Sequence, residues 1–143
     1  MAKQTLRDLM TPNPISLDAT ATAAEAARLM KDRHVGDVLV CREGKLCGIV
    51  TDRDIVVRGL AEDPVGVGAT KLGELCTQEI ASLGPETQVA EAIRLMEERA
   101  IRRVPVVQDG APVGIVSLGD LAVARDRNSV LGRISAAPPT PTQ

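Results

Sequence analysis

The sequence presents Gly48-Ile49-Val50-Thr51-Asp52-Arg53-Asp54 and repeats the pattern as Gly114-Ile115-Val116-Ser117-Leu118-Gly119-Asp120. In each copy an apolar run ends at a hydroxyl residue, and an aspartate follows three positions later. The apolar run predicts a strand, and a hydroxyl residue with a carboxylate three positions on predicts a helix start. We therefore expect each strand to turn directly into a helix, with hydroxyl, carboxylate and free backbone amides at the helix N-terminus.

The pattern belongs to a tandem duplication. Gly48 and Gly114 are 66 residues apart, and the same offset relates Glu25 to Glu91. An ungapped alignment of residues 9–57 with 75–123 gives 19 identities in 49 pairs, where composition alone gives about 4. We assign the domains as follows: first repeat with an N-terminal turn, 1–63; linker, 64–70; second repeat, 71–127; C-terminal extension, 128–143, with a disordered tail from about 136.

Each repeat is expected to form strand, helix, strand, strand and helix, after a short helical turn that residues 5–10 predict in the first. Thr22 and Glu25 match a capping box, which predicts the start of the first long helix. The elements expected in the first repeat are at 15–17, 22–33, 35–41, 46–51 and 52–60. Those expected in the second are at 80–83, 89–99, 104–107, 113–117 and 118 to about 127, with a short helical piece at 129–134.

Composition excludes several classes of partner. The 143 residues include no Phe, Tyr or Trp, so a bound base could be sandwiched only between aliphatic groups. The 17 basic and 19 acidic residues are scattered, with a net charge of −2, which argues against nucleic acid as a partner. We find neither a signal peptide nor an apolar run long enough to span a membrane, and expect a cytoplasmic protein without a membrane partner.

The cysteines leave an alternative open. Cys41, Cys47 and Cys76 match no zinc-binding spacing, and His34 is the only histidine. Buried reduced thiols are the simplest interpretation, and we assign no metal site. Cys41 and Cys47 flank a predicted hairpin turn, however, so they could form a redox-sensitive disulfide or, with His34, a metal site.

No catalytic group emerges from the sequence. A single histidine at a predicted helix end is a weak candidate base, and the chain has neither a Gly-x-Ser-x-Gly elbow nor a Walker-type phosphate loop. We therefore expect a protein that is not an enzyme.

Two interpretations fit the repeated corner. Ser117 with Asp120 could be only a helix cap, which stabilises by about 1 kcal/mol and is common. The recurrence of the pair as Thr51 with Asp54, each after Gly-Ile-Val, favours a ligand site instead. A helix N-terminus attracts phosphate, and an ionised aspartate can accept hydrogen bonds from both hydroxyls of a ribose. A nucleotide has both groups.

These residues resemble the cystathionine-β-synthase (CBS) domain family, whose tandem pairs are called Bateman modules. The resemblance covers about residues 5–123 and rests on Gly-hydrophobic-Val-Thr/Ser-x-x-Asp in both repeats, on the strand sequence at 102–107, and on Leu9-Met10-Thr11-Pro12. It implies an α/β (α+β) fold of two β-α-β-β-α repeats packed as a pseudo-two-fold pair. It also implies clefts for a regulatory adenosine ligand such as AMP, ADP, ATP or S-adenosylmethionine, with no tightly bound cofactor.

The resemblance also implies the residues of two clefts. Asp120 and Asp54 would hold ribose hydroxyls, and Ser117 and Thr51 would bind phosphate or ribose. Each cleft would be completed by the segment before the first strand of the other repeat. The completing residues would be Thr11, Pro14 and Ile15 at the Asp120 site, and Thr77 and Ile80 at the Asp54 site.

The two clefts are not expected to be equal. Family members often carry an arginine on the middle strand that approaches the phosphates, and Arg103 matches that position, whereas the first repeat has Asp37. Leu39 likewise stands where the second repeat has Pro105. Because an anion in place of a cation changes the sign of the interaction with phosphate, we expect the Asp120 cleft to take the charged nucleotide.

The leading hypothesis is a stand-alone regulatory module, forming a homodimer through its long helices and acting on an effector protein that the sequence does not identify. One alternative is a structural or stress-related interaction protein with vestigial clefts. The other is a metal or redox sensor that uses the cysteines.

Overall fold

The computed structural model describes residues 4–78 and 80–125. Its helices are short except for two of eleven residues, and its strands form two separate three-stranded sheets. The elements are α1 (Leu6–Leu9), β1 (Thr11–Pro12), β2 (Ser16–Asp18), α2 (Ala23–Arg33), β3 (Asp37–Arg42), β4 (Lys45–Thr51), α3 (Asp52–Asp54), α4 (Leu72–Leu75), α5 (Val89–Arg99), β5 (Arg103–Gln108), β6 (Ala111–Ser117) and α6 (Leu118–Arg125).

The chain divides into two compact units, and their limits differ from those of the sequence repeats. The continuous unit is Ile15–Ile80, and the discontinuous unit joins the residues up to Pro14 to those from Ala81 onward. The continuous unit contains the sheet β2-β3-β4, and the discontinuous unit contains the sheet β1-β6-β5. The segment before the first strand of each repeat, which we call the lead segment (residues 5–12 and 71–78), therefore folds with the body of the other repeat.

Backbone hydrogen bonds hold the two lead segments in equivalent ways. In the discontinuous unit, the amide of Leu6 donates to the carbonyl of Thr87 at 2.9 Å, and the amide of Arg7 donates to that of Pro85 at 2.9 Å. In the continuous unit, the amides at the corresponding positions 72 and 73 donate to the carbonyls of residues 21 and 19 at 2.8 and 3.0 Å. An exposed ion pair between Arg7 and Glu86, at 2.8 Å, adds a side-chain link in the discontinuous unit.

The continuous unit has a core made only of aliphatic and sulfur-containing side chains. The predicted capping box forms at the start of α2: the Glu25 amide donates to Thr22 Oγ1, and the Thr22 amide donates to Glu25 Oε2, both at 3.2 Å. The buried face of α2 packs on the core face of the sheet, where Val38, Val40 and Val50 are fully buried. Leu72 and Leu75 of the lead segment complete this core.

The discontinuous unit repeats this arrangement. Ala92 and Met96 of α5 face Val104, Val106 and Val116 of the sheet, and Leu121 of α6 closes one side. Leu6 of the lead segment is fully buried in the same cluster. The sheets of both units therefore have one core face and one opposite face, and strand alternation decides which side chains lie on each.

Most predicted elements are confirmed within one to three residues, but two differ. The strand expected at residues 80–83 is absent as a strand, and only an isolated parallel bridge joins Leu83 to Val106. In the first repeat the parallel pairing of β2 with β3 continues because the Ala19 amide donates to the carbonyl of Cys41. The equivalent residue is Pro85, which has no amide hydrogen to donate.

The helix expected at residues 52–60 starts and ends as predicted but has two geometries. Asp52–Asp54 is α-helical, and Ile55–Leu60 continues as a π-helix. β1 was not anticipated, and pairs with β6 in an antiparallel register of Thr11 with Ile115. The helical piece expected at residues 129–134 and the disordered tail lie outside the described residues. Among residues 4–78 and 80–125, none of the helices has the length and apolarity needed to cross a bilayer.

Candidate ligand site at the strand-to-helix corners

Both predicted corners form, and each is closed by a reciprocal cap. At the Asp120 corner (residues 117–120), the Asp120 amide donates to Ser117 Oγ at 3.1 Å, and the Ser117 amide donates to Asp120 Oδ2 at 2.8 Å. At the Asp54 corner (residues 51–54), the equivalent distances are 3.0 and 2.9 Å. The cap engages only one oxygen of each carboxylate, so the same aspartate can cap its helix and accept from a ligand through its other oxygen.

The first amide of each helix is used in the same way at both corners. The Leu118 amide donates to the carbonyl of Arg102 at 2.8 Å, and the Asp52 amide donates to that of Gly36 at 2.9 Å. These bonds connect the helix start to the residue just before the middle strand of each repeat. The two helix N-termini are therefore held rigidly against their sheets.

The second amide distinguishes the two corners. At the Asp54 corner, the Arg53 amide donates to the Asp52 carboxylate at 2.8 Å. At the Asp120 corner, Leu118 replaces Asp52, so no carboxylate of that residue reaches the amide of Gly119. Gly119 also has no side chain to block an approaching group. At the Asp54 corner this helix amide is therefore occupied by the Asp52 carboxylate, and position 118 of the Asp120 corner has no carboxylate that could do the same.

The face of each sheet opposite its core gathers the predicted residues. Arg103 lies directly opposite Ser117 across the β5-β6 pair, and Thr11 pairs with Ile115 on the other side of β6. Because cross-strand partners point to the same face and alternate with the buried Val104 and Val116, Arg103, Ser117, Ile115 and Thr11 share the face away from the core. A hydroxyl, a cation and an aliphatic surface thus adjoin the helix N-terminus.

The Asp54 corner has the same geometry and the opposite charge. Asp37 lies opposite Thr51, and Thr77 exchanges two backbone hydrogen bonds with Ile49, at 2.9 and 3.1 Å. With Asp52 and Asp54, Asp37 makes three carboxylates around this corner, where Arg53 is the cation of the corner itself and Arg58 lies near Thr77. An anion is repelled here, whereas at the Asp120 corner Arg103 offsets Asp120.

The remaining predicted residues fall in one unit or the other. Pro14 is half-buried at the end of the discontinuous unit's N-terminal stretch. Ile15 begins the continuous unit and packs against that unit's core, with its carbonyl accepting from the Leu39 amide at 3.0 Å. Ile80 ends the same unit and is half-buried. The structure thus groups Ser117, Asp120, Arg103 and Thr11 in one unit, and Thr51, Asp54 and Thr77 in the other.

Three residues that the sequence argument passed over contribute to this contrast. Asp52 occupies the Arg53 amide in the first repeat, whereas Leu118 and Gly119 have no carboxylate that could do so in the second. The signal was present in the alignment of the repeats, where Asp52-Arg53 stands opposite Leu118-Gly119. The hydroxyl and the carboxylate of each corner do not reveal this difference by themselves.

The thiols and His34 do not assemble into a metal site. His34 ends α2 in the left-handed region (φ 56°) and is exposed. Throughout residues 4–78 and 80–125, no group of three or more His, Cys, Asp or Glu side chains is arranged to hold a metal ion.

Comparison with known proteins adds a family and several relatives. The sequence model described as "CBS domain" matches residues 6–60 and again residues 72–127. The CBS domain-containing protein YhcV of Bacillus subtilis is 39% identical over 127 residues, which are 89% of each chain.

Two solved structures are similar in both sequence and fold. Hypoxic Response Protein I, solved with two coordinated zinc ions, is 33% identical with a TM-score of 0.75, over 83% of this chain and 97% of that one. CBSX2, solved in complex with AMP, is 27% identical with a TM-score of 0.72, over 84% and 94% of the two chains.

Proposed function

The chain belongs to the CBS-domain family, and on that premise we propose that it is a regulatory module that binds an adenosine nucleotide at the Asp120 corner. The AMP complex of CBSX2 supports a nucleotide as the ligand class. The observation that carries the proposal is the position of Arg103 directly opposite Ser117, at the start of a helix in which Leu118 stands where the other corner has Asp52.

Each group at the corner has a proposed role. The Asp120 oxygen not used by the cap accepts from the ribose hydroxyls, and Ser117 and the Gly119 amide donate to phosphate. Arg103 supplies positive charge for the phosphate, and Ile115 with Thr11 forms the surface on which an adenine can lie. Pro14 is proposed to complete this site, and Thr77 and Ile80 the one at Asp54. Since three carboxylates surround the Asp54 corner, a neutral or cationic adenosine compound suits it better than a nucleotide.

The charge argument is tested by calorimetry with AMP, ADP, ATP, S-adenosylmethionine and uncharged adenosine. We expect AMP to bind more tightly than adenosine, and Arg103→Asp to weaken AMP binding about 10-fold or more while changing adenosine binding little. The matched control is Asp37→Arg, which alters the equivalent position of the other repeat. The proposal fails if none of these compounds binds at millimolar concentration, or if Arg103→Asp weakens adenosine and AMP equally.

The role of Asp120 is separated from its cap by a second comparison. Asp120→Ala and Glu25→Ala each remove one half of a reciprocal cap, and each is expected to cost about 1 kcal/mol of stability. Only Asp120→Ala should abolish nucleotide binding, because Glu25 is not a residue of either corner. If calorimetry gave the two variants equal affinity for the nucleotide, Asp120 would have only its role as a helix cap.

A second candidate function follows from the caps themselves. Because Ser117 and Asp120 satisfy each other without a ligand, the corners are stable as structural elements. A module that acts only by binding another protein would use them in this way. The ligand panel distinguishes the two, since such a module would show no thermal shift with any adenosine compound.

We propose that the module has no catalytic activity of its own, acts in the cytoplasm on an effector protein, and works as a homodimer. Val56, Val57 and Leu60 support self-association, since they expose 53%, 44% and 45% of their surface on one helical segment. Light scattering tests the dimer, and Leu60→Glu should shift it toward the monomer mass. A monomer mass for the unmodified chain would contradict the proposal.

A further inference from the structure

The three cysteines lie together in the continuous unit, apart from the caps of the Asp54 corner. Cys41 lies in β3, Cys47 in β4, and Cys76 directly after α4 in the lead segment. All three are free thiols; Cys41 and Cys76 are buried, and Cys47 is half-buried. Their arrangement depends on an irregularity in the hairpin.

A β-bulge turns Cys47 toward the core. Val40 pairs with Gly48, but the next residue of β3, Cys41, pairs with Leu46, so Cys47 is the extra residue of β4. At a bulge the strict alternation of side chains is broken and a side chain is re-aimed. Cys47 accordingly packs against the same core cluster as Val40.

Cys76 belongs to the same core cluster and approaches Gly48, the residue that follows Cys47. A methyl group built on Gly48, the neighbour of Cys47, would lie 2.8 Å from Cys76 Sγ and 3.2 Å from its Cβ. The Cys76 sulfur therefore lies directly over β4 at the bulge. The two hydrogen bonds between Thr77 and Ile49 hold the lead segment in this position. A disulfide needs Cβ atoms about 3.5–4.5 Å apart, and Cys47 is one residue along β4 from the position that Cys76 contacts.

Cys41 is the less suitable partner. It follows Val40 in β3, so alternation places it on the face away from the core that holds Cys76. Its thiol also interacts with the Ser16 side chain on that side. The pair predicted from the hairpin, Cys41 with Cys47, is therefore less favoured by the structure than Cys47 with Cys76.

The two buried thiols and the more exposed Cys47 differ in how readily an oxidant can attack them. Burial raises the pKa of Cys41 and of Cys76 above the ordinary value, and the neighbouring Cys47 raises both further. The Cys76 thiol lies 3.9 Å from the Gly73 carbonyl as a weak donor. Both buried thiols thus stay protonated near neutral pH, and the more exposed Cys47 is the one that a small oxidant reaches first.

We propose that Cys47 and Cys76 form a reversible disulfide when a peroxide oxidises Cys47. The Cys47 thiolate attacks the peroxide O–O bond, becomes a sulfenic acid, and the other oxygen leaves as water after taking a proton. The Cys76 sulfur, giving up its proton, then attacks the Cys47 sulfur and expels the hydroxyl as a second water. Two thiols and one hydrogen peroxide thus yield one disulfide and two waters. A thiol reductant reverses the link.

The disulfide would tie the lead segment to β4 beside the Asp54 corner. It closes a loop of 30 residues, from 47 to 76, that contains the whole corner. Closing such a loop restricts the unfolded chain and stabilises the continuous unit. The equivalent positions of the discontinuous unit are Met10 and Val113, so only one of the two units has this device.

The test is peptide mapping of the full chain after treatment with hydrogen peroxide and alkylation of the remaining thiols. Trypsin places the three cysteines on separate peptides, residues 34–42, 46–53 and 72–94. We expect a reducible link between peptides 46–53 and 72–94 that survives in Cys41→Ser and is lost in Cys47→Ala. The oxidised protein should also unfold about 5–10 °C higher than the reduced protein.

Two controls keep the result decisive. Non-reducing electrophoresis should show a monomer band, which identifies the link as internal. Cys47→Ala is the main variant because Cys47 is the least buried of the three, and its unchanged circular dichroism would show that the fold persists. A link between peptides 34–42 and 46–53, links only between chains, or three alkylated cysteines after peroxide would each overturn the proposal.

Discussion

At the scale of the residue, the corner residues show how one side chain can serve both fold and ligand. Ser117 and Asp120 cap α6 through the Ser117 oxygen and one carboxylate oxygen, and their proposed ligand contacts use the Ser117 hydroxyl hydrogen and the second carboxylate oxygen. The choice between a cap and a site therefore depends on the neighbours. In the proposed site Arg103 supplies positive charge and Leu118 adds no carboxylate, whereas the first repeat has Asp37 and Asp52 at the equivalent positions.

Gly48 allows the closest approach between the lead segment and β4. Gly48→Ala would place its methyl group 2.6 Å from the Thr77 carbonyl oxygen, which backbone pairing holds in place, and 2.8 Å from Cys76 Sγ. We expect it to cost about 1–3 kcal/mol of unfolding free energy, measured by urea denaturation.

Gly114→Ala is the matched control for Gly48→Ala. Its methyl group would collide with the flexible Met10 side chain and lie 3.0 Å from the Thr11 carbonyl oxygen. Because a methionine can move where a carbonyl cannot, this variant should lose less stability. An equal or greater loss in Gly114→Ala would show that the Thr77 carbonyl is not what restricts position 48.

At the scale of the element, the long helices and the hairpins were predictable because their apolar residues have a clear period. Val89–Arg99 was predicted with the observed bounds, and the α2 capping box forms as expected. The π-helical geometry of Ile55–Leu60 was not predictable, because over six residues the apolar pattern of a π turn does not differ usefully from that of an α turn. The absence of a strand at 80–83 follows from Pro85 and Pro105, which cannot donate the hydrogen bonds that Ala19 and Leu39 donate in the first repeat. The sequence did contain this signal.

The end of α5 offers a test of how a helix terminates. Ala100 ends α5 with φ 53°, in the left-handed region that favours glycine. Ala100→Gly should therefore stabilise the protein by about 0.5–1 kcal/mol, measured by urea denaturation. The control Ala27→Gly makes the same change at an exposed position inside α2 and should cost about 1 kcal/mol. A loss of stability in Ala100→Gly would mean that the left-handed conformation carries no strain there.

At the scale of the whole molecule, the lead segments decide which residues fold together. Leu6 belongs by sequence to the first repeat but is fully buried among side chains of the second, and Leu72 shows the reverse relation. Each compact unit therefore takes part of its core from the other repeat. The duplication describes how the sequence is arranged, and the exchange describes how its cores are built.

Leu6→Ala and Leu72→Ala test this exchange as a matched pair. Each removes a fully buried leucine and should cost about 2–5 kcal/mol. Leu6→Ala should reduce hydrogen-exchange protection in β5 and β6, although those strands lie about 100 residues further along the chain. Leu72→Ala should do the same in β3 and β4. Loss of protection in β3 and β4 from Leu6→Ala alone would show that the repeats, and not the exchanged units, are the folding units.

The sequence by itself determined the duplication, the order of elements, the two capped corners and the opposite charges of Arg103 and Asp37, because these depend on local patterns and on comparison of one repeat with the other. Only the tertiary structure decided which of these segments are neighbours in space. The exchange of lead segments, the register that sets Arg103 opposite Ser117, and the bulge that brings Cys47 toward Cys76 all depend on pairing between distant segments. No local periodicity encodes such pairing, since it is fixed when buried side chains from both repeats pack together in the core of each unit.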